Sequence, residues 1–329
     1  MTQKDDTLIT LVGNGIGNIT LFPDDKAVII QNTLGLRASE DKRFLFFLIM
    51  AYNKEIISLD RGMAQPSIRQ DEILDVDMYV PQTEEQSKIG GFLSKIDNLI
   101  TLHQRKLEGI KEYKKGMLQK MFPKEGEKVP EIRFPGFSGD WEQRKLGEYA
   151  SFFRGIGLSW ADIAEDGQHE CILYGNLYTD YGMIVTDIKY RTNTILANPV
   201  LSNYGDVLIP GSDTTPTGLA RATSIEKAGV LLGGDINIVR PNEGINGSCL
   251  SLAINANKKE LIKLIKGTTV RHIHNEDIKG INVSMPKSSV EQGEIVQLFK
   301  ELDNTITLHQ HKIDELKELK KGLLQQMFV

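Results

Sequence analysis

The strongest constraint on this chain is an internal repeat. Residues from Glu85 read EQSKIGGFLSKIDNLITLHQRKLEGIKEYKKGMLQKMF, and residues from Glu291 read EQGEIVQLFKELDNTITLHQHKIDELKELKKGLLQQMF; the offset is constant, and about 20 of 38 positions are identical. In the first copy Ile89, Ile96, His103, Ile110 and Met117 recur every seven residues, with Phe92, Leu99 and Tyr113 three places after members of that row and Leu93, Ile100, Leu107 and Met121 four places after. Ile295, Leu302, His309, Leu316 and Leu323 form the matching row of the second copy. An apolar stripe held over several heptads predicts a coiled-coil-like helix, roughly 55–60 Å long at 1.5 Å per residue. Two such helices bury their stripes most economically against each other, and whole globular segments separate them in sequence. An antiparallel, pseudo-twofold pair is therefore expected. His103 and His309 occupy equivalent seam positions, either as a pair that fixes register or as half-solvated residues at the seam edge.

The repeat extends upstream. Gly62–Pro81 and Gly267–Pro286 each lead through an alternating, strand-like end and a proline into the long helix. Further back, TLITLVGNGIGNITLF and DVLIPGSDTTPTGLARATSI share the order strand, glycine-rich loop, strand, and Arg37 at the end of VIIQNTLGLR matches Arg240 at the end of LLGGDINIVR. The segments that these parts predict are 1–82 globular, 83–122 long helix, 123–140 a Pro/Gly/Lys-rich linker, 141–287 globular and 288–329 long helix, an α+β chain. The second globular part carries more than sixty residues, from Trp141, before the strand Asp206–Pro210. The first has its equivalent strand, Thr7–Thr10, close to Met1, and so reads as cut short at its N-terminal side.

Composition limits the function classes. The 40% hydrophobic and 25% charged residues are those of a globular protein. No run of eighteen apolar residues offers a membrane span, and the N-terminus lacks a signal-peptide layout. Cys171 and Cys249 have neither metal-ligand nor redox spacing and read as small core residues in a reducing cytoplasm. A net charge of −5 argues against coating nucleic acid by charge alone, but not against a reader with its basic groups on one face. The cations are unevenly placed: Arg105, Lys106, Lys111, Lys114, Lys115, Lys120, Lys124, Lys128 and Arg133 crowd residues 103–133. Lys106, Lys111, Lys114 and Lys115 suit phosphate contacts or, equally, the solvated face of a coiled coil.

The segment PEIRFPGFSGDWEQRKLGE, from Pro130, closely resembles the opening of a target-recognition domain in specificity subunits of type I restriction–modification systems. The helix starts at Pro81–Gln86 and Pro286–Gln292, and the endings Lys114–Phe122 and Lys320–Phe328, are similar to that family's two conserved helices. The resemblance implies two β-rich target-recognition domains separated by two long antiparallel coiled-coil-like helices, each domain reading one half of a split site in double-stranded DNA. It also implies docking of two modification (methyltransferase) subunits and, through them, a restriction/translocase subunit. S-adenosylmethionine, ATP and Mg²⁺ would then sit on the partners, with none bound by this chain. A first domain cut short raises self-association, or completion by a second polypeptide, as a further implication.

Catalytic patterns are lacking in the sequence. No Asn/Asp-Pro-Pro-aromatic tetrapeptide of a base-flipping methylase occurs, and no Ser-His-Asp spacing or carboxylate pair stands out. Gly13-Asn14-Gly15-Ile16-Gly17 lacks the G-x-G-x-x-G spacing and runs into strand-like ITLF, so it reads as a hairpin tip. His272 and His274 share a strand face without a third ligand, which makes them DNA contacts or solvated surface rather than a metal site. Base reading needs donors and acceptors projected from loops and strand ends. The candidates in the second domain are Arg154, Tyr174, Asn176, Ser212, Thr214, Thr215, Arg221, Arg271, His272, His274 and Lys279. Those in the first are Asn14, Asn18, Arg61, Gln65, Ser67 and Arg69. Two rival readings remain: a coiled-coil scaffold that never reads DNA, and an enzyme with an unrecognised active site.

Overall fold

A computed structural model describes residues 2–23, 28–61, 65–213, 215–267 and 271–328. In chain order the elements are β1 (Thr7–Thr10), β2 (Ile19–Leu21), β3 (Thr33–Leu36), α1 (Lys42–Ala51), α2 (Asn53–Ser58), α3 (Gln70–Leu74) and the long helix α4 (Thr83–Lys120). Then come β4 (Glu142–Lys145), α5 (Leu146–Tyr149), β5 (Ala150–Arg154), β6 (His169–Ile172), α6 (Asn176–Thr179), β7 (Ile184–Val185), β8 (Tyr190–Thr192), β9 (Asp206–Pro210), β10 (Ser212–Asp213), α7 (Pro216–Leu219), β11 (Thr223–Ile225), β12 (Leu231–Leu232) and β13 (Ile236–Pro241). The last are α8 (Gly247–Ala256), α9 (Lys258–Leu264), β14 (Arg271–His272), α10 (Asn275–Ile278), β15 (Asn282–Met285) and α11 (Ser289–Met327). Two compact units result, Met1–Gly109 with Ile306–Val329 (unit 1) and Ile110–Thr305 (unit 2), so each long helix contributes to both.

In unit 1 the sheet has the order β2-β1-β3, antiparallel throughout. The apolar helix α1, KRFLFFLIMA, starts where the Asp41 side chain accepts the Phe44 N–H at 2.8 Å, an N-cap of the ordinary kind. It is apolar on more than one side because it is covered on more than one side. Ile49 packs with Ile9, Leu34 and Ile56 of the sheet side, while Phe44, Phe47 and Leu48 pack with Ile89, Leu93, Ile96, Ile313 and Leu316 of the helix pair.

In unit 2 a five-stranded sheet, β5-β13-β9-β11-β7, has all of β9 buried, the pattern of a strand covered on both faces. Alternation decides which residue faces which layer. Val207, Ile209 and Val239 join Cys249, Leu250, Leu252 and Phe299 on the helical side, while Leu208, Ile236 and Ile238 meet Leu177 of α6 and Ile172 and Leu232 of the smaller sheet β12-β6-β8. Both cysteines are buried and unpaired, and burial pushes the Cys171 thiol up to about 11.

The repeat in sequence is a repeat in structure. Within each unit a strand (β1, β9) is followed by an antiparallel partner (β3, β13), a capped helix (α1, α8), a short helix (α2, α9) and a one-turn helix (α3, α10) before the long helix begins. The loop after the first strand differs: β1 turns into β2 through residues 11–18, whereas β10 and α7 intervene between β9 and β11. Arg37 and Arg240 do the same work. Arg37 donates to Asp6 from Nε (2.9 Å) and Nη2 (2.6 Å), and Arg240 donates to Asp206 from Nε (2.9 Å) and Nη2 (2.8 Å). Each aspartate also accepts the N–H of the residue three places earlier, Gln3 or Asn203, and so locks the turn that feeds the strand.

The long helices pair antiparallel within each unit, Lys320 meeting Asp97 in unit 1 and Lys114 meeting Asp303 in unit 2. Of the expected seam, Ile89, Ile96, Ile295 and Leu316 are buried and His103, Ile110, Met117, Leu302, His309 and Leu323 half-buried. The residues four places after the seam are its inner partners, with Leu93, Ile100, Leu107 and Met121 buried; Phe92, Leu99 and Tyr113, three places after, are exposed instead. A two-helix pair covers only a narrow stripe, and the positions at +3 turn away from it. Lys114 does not face solvent for phosphate contact, because its ammonium lies in the helix pair on Asp303. The segment 123–140 is not a loose tether either. Ile132 N–H bonds Lys120 O, Trp141 N–H bonds Lys128 O, and Arg133 pairs with Glu291.

Candidate nucleic-acid interface

Unit 2 gathers part of the predicted set at one end of its large sheet, where β5 and β9 end and β13 begins. Gly155 follows β5 so closely against Gly233 that an added Cβ would lie 2.0 Å from the Gly233 carbonyl oxygen, which fixes the strand's exit and the aim of Arg154. Arg154 pairs with Asp235 at 2.6 Å while half of its side chain stays exposed. Asp235 has a φ of +58°, a left-handed conformation tolerated best by Asp, Asn and Gly. Its Oδ2 accepts Ser212 Oγ at 3.0 Å and its carbonyl accepts Gly211 N–H at 2.6 Å. Burial alone would raise the Asp235 carboxyl; the hydrogen bonds from Arg154 and Ser212 outweigh it and hold the group below the usual carboxylate range.

β10 and β14 extend this end. Ser212 pairs with His272 and Asp213 with Arg271. His272 stacks on His274, ring centroids 6.2 Å apart and planes at 3°, so the two imidazoles do share a face. Tyr178 donates its hydroxyl to Ser212 O, and burial raises its pKa so that it remains a donor. Tyr174 packs edge-on against Tyr178 at 6.2 Å and is 40% exposed; Trp160, 55% exposed, meets Tyr190 edge-on and lies against the neighbouring Gly175. The exposed surface assembled here is Arg154, Tyr174, Thr215, His274 and Trp160, with Arg271 and His272 half-buried among them. Thr215 Oγ1 donates to Asp213 at 2.8 Å. Thr214 lies outside the described residues.

Four candidates are placed otherwise. Asn176 is fully buried: its Oδ1 accepts Leu173 N–H at 2.8 Å and its Nδ2 reaches Asp180, so it ties the turn before α6 to the end of that helix rather than facing a groove. Ser212 is 7% exposed with its hydroxyl spent on Asp235. Arg221 donates to Leu177 O from a half-buried site, and burial draws its pKa below the ordinary guanidinium value. Lys279 pairs with Glu276 at 2.6 Å and lies 5.6 Å over the Phe152 ring. Sequence reasoning missed Asp235, the organiser of Arg154 and Ser212, and Trp160. The glycines around both, in GIGLSW and LLGGDI, are the signal that could have found them.

Unit 1 places its candidates at the equivalent end of β1. Residues 11–18 form the expected hairpin tip, and Gly17, at φ +74°, leaves room for Ile57, whose Cγ1 would lie 2.5 Å from an added Cβ. Val12 bridges to Ser67 and Ile68 N–H bonds Leu11 O at 2.9 Å, as Ile273 N–H bonds Gly211 O at 3.0 Å in unit 2. That match makes Ser67 the counterpart of His272 and Arg69 that of His274. Asn14, Asn18 and Gln65 are exposed at this end, Ser67 is half-buried, and Arg61 and Arg69 are exposed but paired with Glu72 and Asp71. Among the described residues no group of three or more His, Cys, Asp or Glu is arranged to hold a metal ion, and no helix is long and apolar enough to cross a membrane.

Comparison with known proteins places this architecture. The chain is 22% identical to the MjaVIII type I restriction enzyme specificity subunit of Methanocaldococcus jannaschii, over 98% of this chain and 78% of that protein. Among solved structures it resembles the type I restriction–modification S subunit from M. genitalium, with a TM-score of 0.68 at 16% identity over 100% of this chain and 84% of that one. It also resembles a chain from a structure of type I restriction–modification complex assembly, with a TM-score of 0.58 at 18% identity over 98% and 81%. The model of the type I restriction modification DNA specificity domain matches residues 2–112 and 139–318, which is most of the sequence, and the chain belongs to that family.

Proposed function

We propose that this chain is the DNA-reading subunit of a type I restriction–modification assembly, and that the strand-end surfaces of its two units are what approach DNA. One observation carries the reading: both units expose polar side chains at the same end of the same Asp–Arg-clamped strand, Arg154, Thr215 and His274 in unit 2 and Asn14, Asn18 and Gln65 in unit 1. Phosphate contacts position a reader and base-edge contacts specify the sequence. Arg154 is suited to a guanine edge, Asn14 and Gln65 to adenine, and Tyr174 with Trp160 to apolar contact. Chemistry on the bound DNA belongs to partners. Two methyltransferase subunits would bring S-adenosylmethionine, and a restriction/translocase subunit would bring ATP and Mg²⁺.

The test is co-expression with a modification subunit and genome-wide mapping of adenine methylation. A split motif, one half of which relaxes when Arg154, Tyr174 and His274 are replaced by alanine, supports the reading. An unchanged motif with those three replaced would sink it.

A further inference from the structure

The two copies of the framework differ at the start of their long helices. In unit 2 that start is covered. Glu291 is 1% exposed and accepts Arg133 Nε at 2.7 Å, Arg133 Nη2 at 2.9 Å and Trp141 Nε1 at 3.3 Å. The same stretch runs on into β4, which lies antiparallel on β15, and Met285 at the end of β15 is 1% exposed. Trp141 also meets Phe122 edge-on at 5.6 Å. One run of chain, residues 130–149, thus neutralises a carboxylate, closes a strand edge and covers an apolar side chain.

In unit 1 the counterpart of Glu291 is Glu85, and that of β15 is Asp77–Val80. The helix start itself is the same: Gln86 Nε2 donates to Pro81 O at 2.8 Å, as Gln292 Nε2 donates to Pro286 O at 2.9 Å. The cover is different. Glu85 is exposed, and its carboxylate has no hydrogen-bond or ion-pair partner among the described residues. Asp77–Val80 belongs to no helix and forms no ladder with any described strand; Tyr79 N–H donates to the Tyr52 hydroxyl at 3.2 Å. Tyr79 is 79% exposed and Val80, the counterpart of Met285, is 55% exposed.

We propose that this face of unit 1 is a docking site for an extended segment of a separate polypeptide with the chemistry of residues 130–149. Its arginine would meet Glu85, an indole some residues on would cover Val80 and the helix start, and the strand that follows would lie antiparallel on Asp77–Val80. Strand addition to an open edge draws affinity from main-chain hydrogen bonds and specificity from side-chain pockets. The carboxylate of Glu85 selects a cationic partner and repels nucleic-acid phosphate, so the face suits a peptide and not DNA. An exposed strand edge beside apolar side chains is also a liability that proteins commonly cover. The inference rests on the difference between the two units and holds whichever DNA is read.

A fluorescently labelled peptide of residues 130–149 titrated into the full chain, followed by anisotropy and by hydrogen exchange, tests it. The expected result is saturable binding that protects residues 77–88. Glu85→Ala in the chain, or alanine for the peptide's arginine, should weaken it by about tenfold or more. Glu85→Arg paired with a peptide carrying glutamate in place of that arginine should restore binding. Absence of saturable binding, affinity indifferent to Glu85→Ala, or protection of 282–292 in place of 77–88 would overturn the proposal.

Discussion

His103 and His309 face each other Nδ1 to Nδ1 at 2.8 Å, and each is the other's counterpart across the 206-residue offset of the repeat. The same offset carries the Lys114–Asp303 pair onto the Lys320–Asp97 pair. A contact between equivalent residues, flanked by two pairs that interchange when the copies are exchanged, is what a self-complementary antiparallel pairing produces. Both rings are half-buried, so the contact across the helix pair and the half-solvated placement occur together.

A hydrogen bond between two imidazole Nδ1 atoms needs one donor and one acceptor, so at least one ring must be neutral. Burial, then the charges of His309, Lys106 and Lys312, lower the pKa of His103. The sign follows from linkage: the unfolded chain takes up its proton first as pH falls, so stability present above the ordinary histidine value of about 6.5 is lost below it. Thermal melts between pH 7.5 and 5.5 should show a falling midpoint, and His103→Gln with His309→Gln should flatten that dependence. A midpoint just as steep in the double variant would assign the pH response elsewhere.

Lys320 holds Asp97 at 2.7 Å and lies 5.0 Å over the Phe47 ring, with 14% of its side chain exposed. Lys320→Ala should cost roughly 1–2 kcal/mol, the sum of a partly screened ion pair and a cation–π contact. Lys320→Met should recover part of the loss by keeping the packing. Denaturant titration of the full chain reads both.

Arg240 is bidentate on an Asp206 that is 0% exposed. Arg240→Ala leaves that carboxylate buried and unpaired, so unit 2 should lose roughly 3–5 kcal/mol. Lysine cannot reproduce the fork and should rescue only in part. For the matching pair in unit 1, the hydrogen bond from Arg37 outweighs burial and holds Asp6 well below the usual carboxylate range. Asp6 therefore adds stability that is fully present above the ordinary aspartate value of about 3.9, starts to fall below it, and is erased only when acid reaches the much lower value of the folded state. Hydrogen exchange on β1 and β9 would resolve the two units.

The long helices, their heptad row and the matched positions of Arg37 and Arg240 were legible because a duplication shows the same demand twice. The partners were not. Nothing local marks Asp6 and Asp206 as the carboxylates that those arginines take, since the contacts join residues far apart in sequence. Side-chain type also misleads at strand ends. Asn176 and Ser212 have the chemistry of base readers but are spent on Leu173 N–H and Asp235, and only the packing of unit 2 decides that. Phe92, Leu99 and Tyr113 look like seam residues by spacing, yet the side of the helix that the partner covers selects +4 over +3.

Asn176 and Arg154 separate the two roles that the sequence merged. Asn176→Ala removes the acceptor of a buried Leu173 N–H, so it should destabilise unit 2 by about 1–3 kcal/mol while the protein that remains folded keeps its sequence preference. Arg154→Ala removes an exposed guanidinium at the strand end. It should change the melting midpoint little, because its pair with Asp235 is half-exposed and solvent-screened, and weaken specific DNA binding by about 1–3 kcal/mol. Competition binding against a scrambled duplex at fixed salt distinguishes a lost base contact, which narrows the gap between the two DNAs, from a lost phosphate contact, which weakens both equally. If Asn176→Ala narrows that gap and Arg154→Ala does not, the reading surface lies on the α6 side of unit 2 and not at the end of β5.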